Sequence, residues 1–390
     1  MSRRLGSIEA GGTKFILAVA DETYQMGAKK RIPTLTPEET LAACIDFFKA
    51  NPVDAIGLGS FGPIGIKHGT ADYGHILATP KPGWAGTNIV GILTAALHVP
   101  IYFTTDVNAS IYGEYIAGEA QAVDAAVYFT IGTGIGGGAI QDGNFIGGYS
   151  HLEMGHAPVM LHPDDDFVGS CPFHGNQCFE GVAAGPTIEA RTGERGENLQ
   201  RDNPVFDYID YYAAQMAFNA YVNLTPEKII FGGSVINDAD MVKVRQYFDQ
   251  LNNGYVQVPT KSSSGCNFIG GYSHLEMGHA PVMLHPDDDF VGSCPFHGNQ
   301  CFEGVAAGPT IEARTGERGE NLQRDNPVFD YIDYYAAQMA FNAYVNLTPE
   351  KIIFGGSVIN DADMVKVRQY FDQLNNGYAY TYQNQLVKVD

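Results

Sequence analysis

A chain of 390 residues with a net charge of −21 shows none of the basic patches that a nucleic-acid partner requires. No stretch is long and apolar enough to span a bilayer, so no membrane partner is expected. Six cysteines are too few for a disulfide framework at this length. Because no apolar signal region precedes the first glycine-rich turn, we expect a cytoplasmic protein. Its length is sufficient for two or three domains.

The first element is predicted to be a β-hairpin with a glycine-rich tip. Residues 7–20 place apolar residues on both sides of Gly11, Gly12, Thr13 and Lys14. Such a tip can direct backbone N–H groups at a phosphate, although an ordinary hairpin turn explains the same residues. A P-loop is excluded because its glycine and lysine spacing is absent.

An α/β pattern follows this hairpin. We predict a helix over 36–50, a buried strand over 55–63, a long loop over 67–88, a strand over 99–108 and a helix over 109–119. Asp106 lies near the end of the second strand, where α/β proteins usually bind ligands. The alternative role for this residue is a helix N-cap.

A second strand–glycine–strand pattern spans residues 125–141. Its tip is Gly132, Thr133 and Gly134. Two such tips, with an Asp between them in the chain, suit the two ends of a triphosphate. Further on, Gly185 and Pro186 open a helix, and we predict a helix over 207–222, a buried strand over 228–235 and a helix over 238–252.

A short loop-rich segment carries a full set of zinc ligands. His156, Cys171, His174 and Cys178 supply two imidazoles and two thiols, which fill a tetrahedral shell and leave no position for water. Such a closed site is structural, and its binding free energy of roughly 10–16 kcal/mol in small zinc modules contributes to folding. The alternative is two ordinary buried cysteines and two surface histidines.

Residues 144–255, which we call copy one, recur without a single change as residues 267–378, which we call copy two. Each copy carries 15 acidic and 6 basic residues, so the duplication supplies most of the negative charge. Copy two repeats the zinc ligands as His279, Cys294, His297 and Cys301. It lacks the 125–141 pattern and any counterpart of Asp106, so it cannot be a second complete site.

The duplication sets the predicted domains. We expect an N-terminal domain over 1–118, a C-terminal domain with the zinc loop over 119–255, a linker over 256–266, and copy two with a tail over 267–390. Because the hairpin ending at Gly143 runs directly into Asn144, copy one should complete the second domain. Copy two should hang on its linker with an unpaired strand edge, and the tail has no assigned role.

Eight motifs, in order over residues 1 to about 255, resemble the ROK family of sugar kinases and, within it, the bacterial fructokinases. The motifs are Ile8–Lys14, Gly59–Pro63, Thr105–Asn108, Ile131–Gly138, Glu153–His156, Cys171–Gly181, Ala183–Pro186 and Phe231–Val235. The His-Cys-His-Cys set of zinc ligands resembles that of the fructokinase branch in particular. A closing strand, turn and helix expected after Tyr255 are absent.

The resemblance implies an actin-like (ribonuclease H-like) fold of two α/β domains and a homodimer. It implies transfer of the γ-phosphoryl group of ATP, with Mg²⁺, to the 6-hydroxyl of a hexose, first of all fructose, with Asp106 as the base. The implied sugar-binding residues are Gly62, Asn108, Glu153, His156 and Glu180. The implied nucleotide-binding residues are Gly11, Gly12, Thr13, Lys14, Thr133, Pro186, Gly232, Gly233, Ser234 and Val235.

Three alternatives stay open at this stage. The enzyme could prefer glucose or mannose. The missing closing segment could leave a protein that binds sugar or nucleotide without turnover. A ROK transcriptional repressor is disfavoured, because the first glycine loop begins almost at residue 1, with no helix-turn-helix before it.

Overall fold

The computed structural model describes residues 3–79, 81–148, 150–255, 275–378 and 386–388, and the backbone of 267–269. It divides into two compact units. Unit 1 is Met1–Ile116 with Tyr149–His151, and unit 2 is Ala117–Gly148 with Leu152–Asp390. The predicted linker over 256–266 lies outside the described residues.

Unit 1 is a five-stranded sheet with helices. Its strands are β1 (Arg4–Ala10), β2 (Lys14–Asp21), β3 (Met26–Pro33), β4 (Ala55–Ser60) and β5 (Ile101–Thr105), and its helices are α1 (Pro37–Ala50), α2 (Ile89–Leu97) and α3 (Asp106–Ala117). The sheet order is β3-β2-β1-β4-β5, antiparallel across the first three strands and parallel across the last three. The predicted hairpin over 7–20 is confirmed as β1 and β2.

Local signals in the sequence fix the start of α1. The Thr36 hydroxyl accepts a hydrogen bond from the N–H of Glu39, and the Glu39 carboxylate accepts one from the N–H of Thr36. This capping box satisfies two N–H groups that have no partner within the helix. The face of α1 that carries Leu41, Phe47 and Phe48 then packs into the core of unit 1.

Unit 2 contains a second sheet that also begins with an antiparallel hairpin. Its first part comprises β6 (Ala125–Ile131), β7 (Ile135–Gln141), β8 (Asn144–Phe145), α4 (Phe179–Ala183), α5 (Gly185–Thr192), α6 (Val205–Leu224), β9 (Lys228–Gly232) and α7 (Met241–Asn252). The hairpin of β6 and β7 is antiparallel, and β9 pairs with β6 in parallel. Copy one therefore supplies the strand that pairs with this hairpin, as its direct connection to the hairpin predicts.

Copy two repeats the helices of copy one. Its elements are β10 (Asn267–Ile269), α8 (Phe302–Ala306), α9 (Gly308–Thr315), α10 (Val328–Leu347), β11 (Ile352–Phe354) and α11 (Met364–Asn375), and the tail adds β12 (Leu386–Lys388). The tail is not without a role, because β12 pairs with β11 in parallel. Among the described residues these two strands form a sheet of their own, so the other edge of β11 stays unpaired, as predicted. The backbone of β10 pairs antiparallel with β9.

The expectation that copy two hangs free on its linker is also wrong. Copy two packs against copy one in unit 2, and the two copies share one hydrophobic core. The long helices α6 and α10 lie at its centre, and most of their residues are buried. A helix buried on all sides belongs to a core rather than to a surface. In the described part of the chain, no helix is both long and apolar enough to cross a membrane.

Candidate active site and metal centres

Asp106 is the first residue of α3, directly after β5. The alternative role as helix N-cap is wrong, because the Thr105 hydroxyl accepts the capping hydrogen bond from the N–H of Asn108 at 3.1 Å. The Asp106 carboxylate instead accepts a hydrogen bond from the N–H of Val107 at 2.9 Å. Gly59 makes this arrangement possible, since a Cβ there would lie 2.7 Å from the Cβ of Ala109.

Burial raises the pKa of the Asp106 carboxyl above its ordinary value of 3.8. The nearby Glu9 carboxylate also raises this pKa, while the hydrogen bond from Val107 and the His151 ring lower it. A carboxylate with a raised pKa is a stronger base in its ionised form. Asn108, beside it, is buried, and its side-chain N–H donates to the Thr104 hydroxyl at 3.1 Å.

The first glycine tip joins β1 to β2. The N–H of Gly11 donates to the carbonyl of Lys14 at 3.0 Å, which closes the turn. A side chain added at Gly12 would meet no atom within 4 Å, so space is open beside this part of the tip. In the same unit, a Cβ at Gly62 would lie 3.4 Å from Nε2 of His151. A ligand could therefore approach the backbone at Gly12, whereas a side chain at Gly62 would contact His151.

Three other predicted nucleotide segments meet in unit 2. The N–H of Gly185, which precedes Pro186, donates to the carbonyl of Gly132 at 2.7 Å. The N–H of Val235 donates to the carbonyl of Ile131 at 3.0 Å. The tip of the β6–β7 hairpin, the start of α5 and the turn after β9 therefore form one cluster, although they are far apart in sequence.

Gly233 is required in this cluster. Its φ of 98° lies in the region that favours glycine, and an added Cβ would lie 2.2 Å from the carbonyl oxygen of Ile131. The turn after β9 can therefore follow the hairpin only with glycine at this position. The backbone groups of Gly232, Ser234 and Val235 are held next to the Thr133 tip as a result.

The four predicted zinc ligands of copy one lie together and are buried. Their ligand atoms are all within 4.8 Å of one another. Nδ1 of His156 is 3.8 Å from the Sγ atoms of both Cys171 and Cys178, and Nδ1 of His174 is 3.5 Å from Sγ of Cys171. Tetrahedral zinc separates nitrogen and sulfur ligands by about 3.6 Å. The donor set and its distances therefore fit one zinc ion.

The loop that holds these ligands is built on tight backbone contacts. The N–H of Gly175 donates to the carbonyl of Cys171 at 2.9 Å, and the N–H of Gln177 donates to that of His174 at 2.9 Å. Gly169 has a φ of 84°, and an added Cβ would lie 2.1 Å from the backbone of Gly175. His156 comes from a separate 3₁₀ turn, Met154–His156, as the spacing predicts.

A buried ion pair ties the zinc loop to the helices behind it. Arg191, on α5, donates to both carboxylate oxygens of Asp165, at 3.2 and 2.7 Å, and the Tyr212 hydroxyl donates to the same carboxylate at 2.6 Å. Burial alone would raise the pKa of Asp165, but these hydrogen bonds hold it below its ordinary value. Two parallel hydrogen bonds of this kind fix the geometry of both partners.

The predicted sugar residues of unit 2 surround the zinc ligands. Oε1 of Glu180 is 3.7 Å from Nε2 of His156, and Oε2 of Glu180 accepts a hydrogen bond from the N–H of Ile135 at 3.0 Å. His156 thus directs Nδ1 at the cysteines and Nε2 toward Glu180. One nitrogen of the ring can therefore bind zinc while the other is available for the predicted contact with sugar. Glu153 lies three residues before it, at the start of the same turn.

Copy two contains the same cluster of ligands. The ligand atoms of His279, Cys294, His297 and Cys301 are within 4.8 Å of one another. The Nδ1 atoms of His279 and His297 are 3.3 Å apart, and Sγ of Cys294 is 3.8 and 3.6 Å from them. The second donor set therefore also fits zinc.

The chain matches a known protein family over most of its length. The ROK family model matches residues 5–265 and, a second time, residues 262–389. The chain belongs to the ROK family. Among ROK relatives, a fructokinase of Lactococcus lactis subsp. cremoris is 50% identical over 284 residues, which cover 70% of this chain and 97% of that protein. A fructokinase of Streptococcus mutans is 49% identical over 265 residues, which cover 66% of this chain and 89% of that protein.

A solved ROK structure supports the fold. The ROK hexokinase of Thermus thermophilus superimposes with a TM-score of 0.54 at 23% identity, covering 63% of this chain and 88% of that one. The predicted actin-like α/β fold and the membership of the ROK family are both confirmed.

The sequence analysis missed one residue, Tyr378, that contacts two of the predicted site residues. The hydroxyl of Tyr378, in copy two, donates to Oε2 of Glu153 at 2.5 Å. Its ring lies 3.9 Å from the His156 ring, centre to centre. The sequence held a faint signal, because Tyr378 is the last residue of the repeat and its counterpart Tyr255 ends copy one.

Proposed function

We propose that this protein is an ATP-dependent fructokinase, which transfers the γ-phosphoryl group of ATP to the 6-hydroxyl of D-fructose. Asp106 carries the proposal, because it combines a position at the start of a helix after a parallel strand with a raised carboxyl pKa. The close similarity to fructokinases over nearly their whole length supports fructose as the substrate.

In this proposal Asp106 accepts the proton of the sugar hydroxyl as the oxygen attacks phosphorus. Phosphoryl transfer needs little covalent chemistry from the protein, so positioning and charge stabilisation provide most of the rate. Asn108 of unit 1 and Glu153, His156 and Glu180 of unit 2 are polar groups suited to orienting sugar hydroxyls, and the missing side chain at Gly62 of unit 1 would let the sugar approach that backbone. Mg²⁺, bound with ATP, neutralises charge on the phosphates.

The nucleotide would be held mainly by backbone. Two glycine tips, Gly11–Lys14 and Gly132–Gly134, can direct N–H groups at phosphate oxygens without a side chain in the way. In unit 2, Thr133, Pro186 and Gly232–Val235 would also contact the nucleotide, and the backbone hydrogen bonds that join their segments support this assignment. The zinc ions have a structural role, since each donor set is complete without water. We infer that the enzyme works in the cytoplasm, where ATP is available.

Measurement of ADP release across hexoses tests the proposal. Fructose should support turnover with kcat/KM at least tenfold above that of glucose or mannose. Turnover with glucose or mannose but not with fructose would move the assignment to another sugar of the same family. If calorimetry detects fructose binding while the assay detects no ADP release, the protein would be a binding protein and not an enzyme. This alternative is motivated by the short antiparallel strand β10, which stands where a closing strand was expected.

The pH dependence of kcat/KM gives a second prediction. Because Asp106 must be ionised to act as a base, and because burial raises its carboxyl pKa above 3.8, activity should fall on the acid side at a pH above that value. Above this limb the base is fully ionised and kcat/KM should level off. Steady-state rates with fructose at saturating ATP measure the profile. An acid limb at or below 3.8 would contradict the assignment.

A further inference from the structure

The contacts between the two copies are reciprocal. Tyr378 of copy two contacts Glu153 and His156 of copy one, with an oxygen–oxygen distance of 2.5 Å and a ring separation of 3.9 Å. Tyr255 of copy one makes the same two contacts with Glu276 and His279 of copy two, at 2.6 and 4.0 Å. The terminal tyrosine of each copy therefore contacts the candidate metal centre of the other copy.

Backbone and ring contacts follow the same exchange. The N–H of Glu153 donates to the carbonyl of Val345 at 2.8 Å, and the N–H of Glu276 donates to the carbonyl of Val222 at 2.8 Å. The Tyr378 ring lies 5.1 Å from that of Phe173, and the separation for the counterparts Tyr255 and Phe296 is also 5.1 Å. These pairs differ only by exchange of the two copies.

Equivalent residues meet at the centre of this contact. The side-chain amide of Asn219, on α6, donates to Oδ1 of Asn342, its counterpart on α10, at 3.0 Å. Contact between equivalent residues marks a two-fold axis, and the reciprocal pairs around it define an isologous interface. Such an interface normally joins two identical chains. Here both of its halves belong to one chain.

We propose that copy two acts as a tethered partner subunit, and that Tyr378 positions Glu153 and His156 in the sugar site of copy one. The Tyr378 hydroxyl holds the Glu153 carboxylate in one orientation. The Tyr378 ring packs against the imidazole of His156, whose Nδ1 faces the cysteines and whose Nε2 faces the proposed sugar site. The inference rests on the proposed function, since it assigns Tyr378 to the same sugar site.

The tether has a consequence for assembly. A surface that is self-complementary would join two chains if each carried only one copy. In this chain copy two already occupies that surface of copy one, and the chain covers it with a shared core. This face of copy one is therefore covered by a contact within one chain, which leaves it closed to a second chain.

The duplication supplies a matched control for the test. Tyr378→Phe and Tyr255→Phe each remove one hydroxyl from equivalent positions of the repeat, where each hydroxyl donates a two-fold-related hydrogen bond to a glutamate. Any general weakening of the interface is equal in the two variants. Only Tyr378→Phe alters the copy that lies next to the β6–β7 hairpin, so only this variant should change sugar recognition.

Steady-state kinetics of the full-length chain should separate the two variants. Tyr378→Phe should raise KM for fructose roughly tenfold, the usual scale for losing a hydrogen bond to a charged group, with kcat within about twofold and KM for ATP unchanged. Tyr255→Phe should leave all three parameters within about twofold. Equal shifts in both variants, or no shift in either, would overturn the proposal.

A binding measurement keeps this test separate from the proposed function. If the wild-type chain binds fructose but does not turn it over, calorimetric Kd values for the same three proteins replace KM. A weaker Kd for Tyr378→Phe alone would then support the positioning role although the kinase assignment fails. A wild-type chain that binds neither fructose, glucose nor mannose would overturn both.

Discussion

Replacing Asp106 with asparagine should lower kcat with fructose by about 10²–10⁴-fold, the usual contribution of a general base. Asparagine keeps the size of the side chain and its ability to accept the hydrogen bond from the N–H of Val107. It has no basic oxygen to take the proton of the sugar hydroxyl. Stopped assays of ADP formation at saturating fructose and ATP measure the loss.

Binding should survive this substitution. Calorimetry should give a fructose Kd within a few-fold of the wild type, because Asn108 and the residues of unit 2 that we assign to the sugar are unchanged. Asp54→Asn is a suitable control, since Asp54 is an exposed aspartate of the same unit whose carboxylate accepts only a surface hydrogen bond from Arg4 among its described contacts. Near-normal turnover by the Asp106→Asn protein would remove this residue from the mechanism.

Removal of metal should have the largest effect on stability. We expect two zinc ions per chain by elemental analysis, because both sets of ligands have the same tetrahedral donors and spacing. Structural zinc contributes roughly 10–16 kcal/mol in small modules, more than the whole stability of many domains. Dialysis against a strong chelator should therefore unfold both loops and abolish activity, and thermal unfolding followed by circular dichroism should record the loss.

The two copies again provide matched variants. Cys178→Ser and Cys301→Ser should each lower the zinc content from two ions to one per chain. Only Cys178→Ser should abolish most fructose turnover, because its centre belongs to the copy next to the β6–β7 hairpin, where Glu180 accepts a hydrogen bond from the N–H of Ile135. The Cys301→Ser protein should lose much less activity. Zinc content near zero in the wild type would disprove both metal centres, and equal activity in the two variants would separate the first centre from the sugar site.

Much of the candidate site could be predicted because its signals are local. Three zinc ligands lie within eight residues of one another, so the sequence spacing almost determines their distance in space. The two glycine tips were predictable because each lies between short apolar strands. Asp106 was marked by the end of a strand, although its alternative role as an N-cap needed the geometry of Thr105 to be excluded.

The sequence by itself determined the family, the strands and helices that carry the glycine tips, and the composition of both metal centres. Only the tertiary structure decided where copy two lies, what the tail does and that Tyr378 reaches Glu153. The physical reason is that identical sequences give identical local signals, whereas self-complementarity belongs to a folded surface. Asn219 and Asn342 look like ordinary polar residues of two helices, and they mark an axis only when those helices meet.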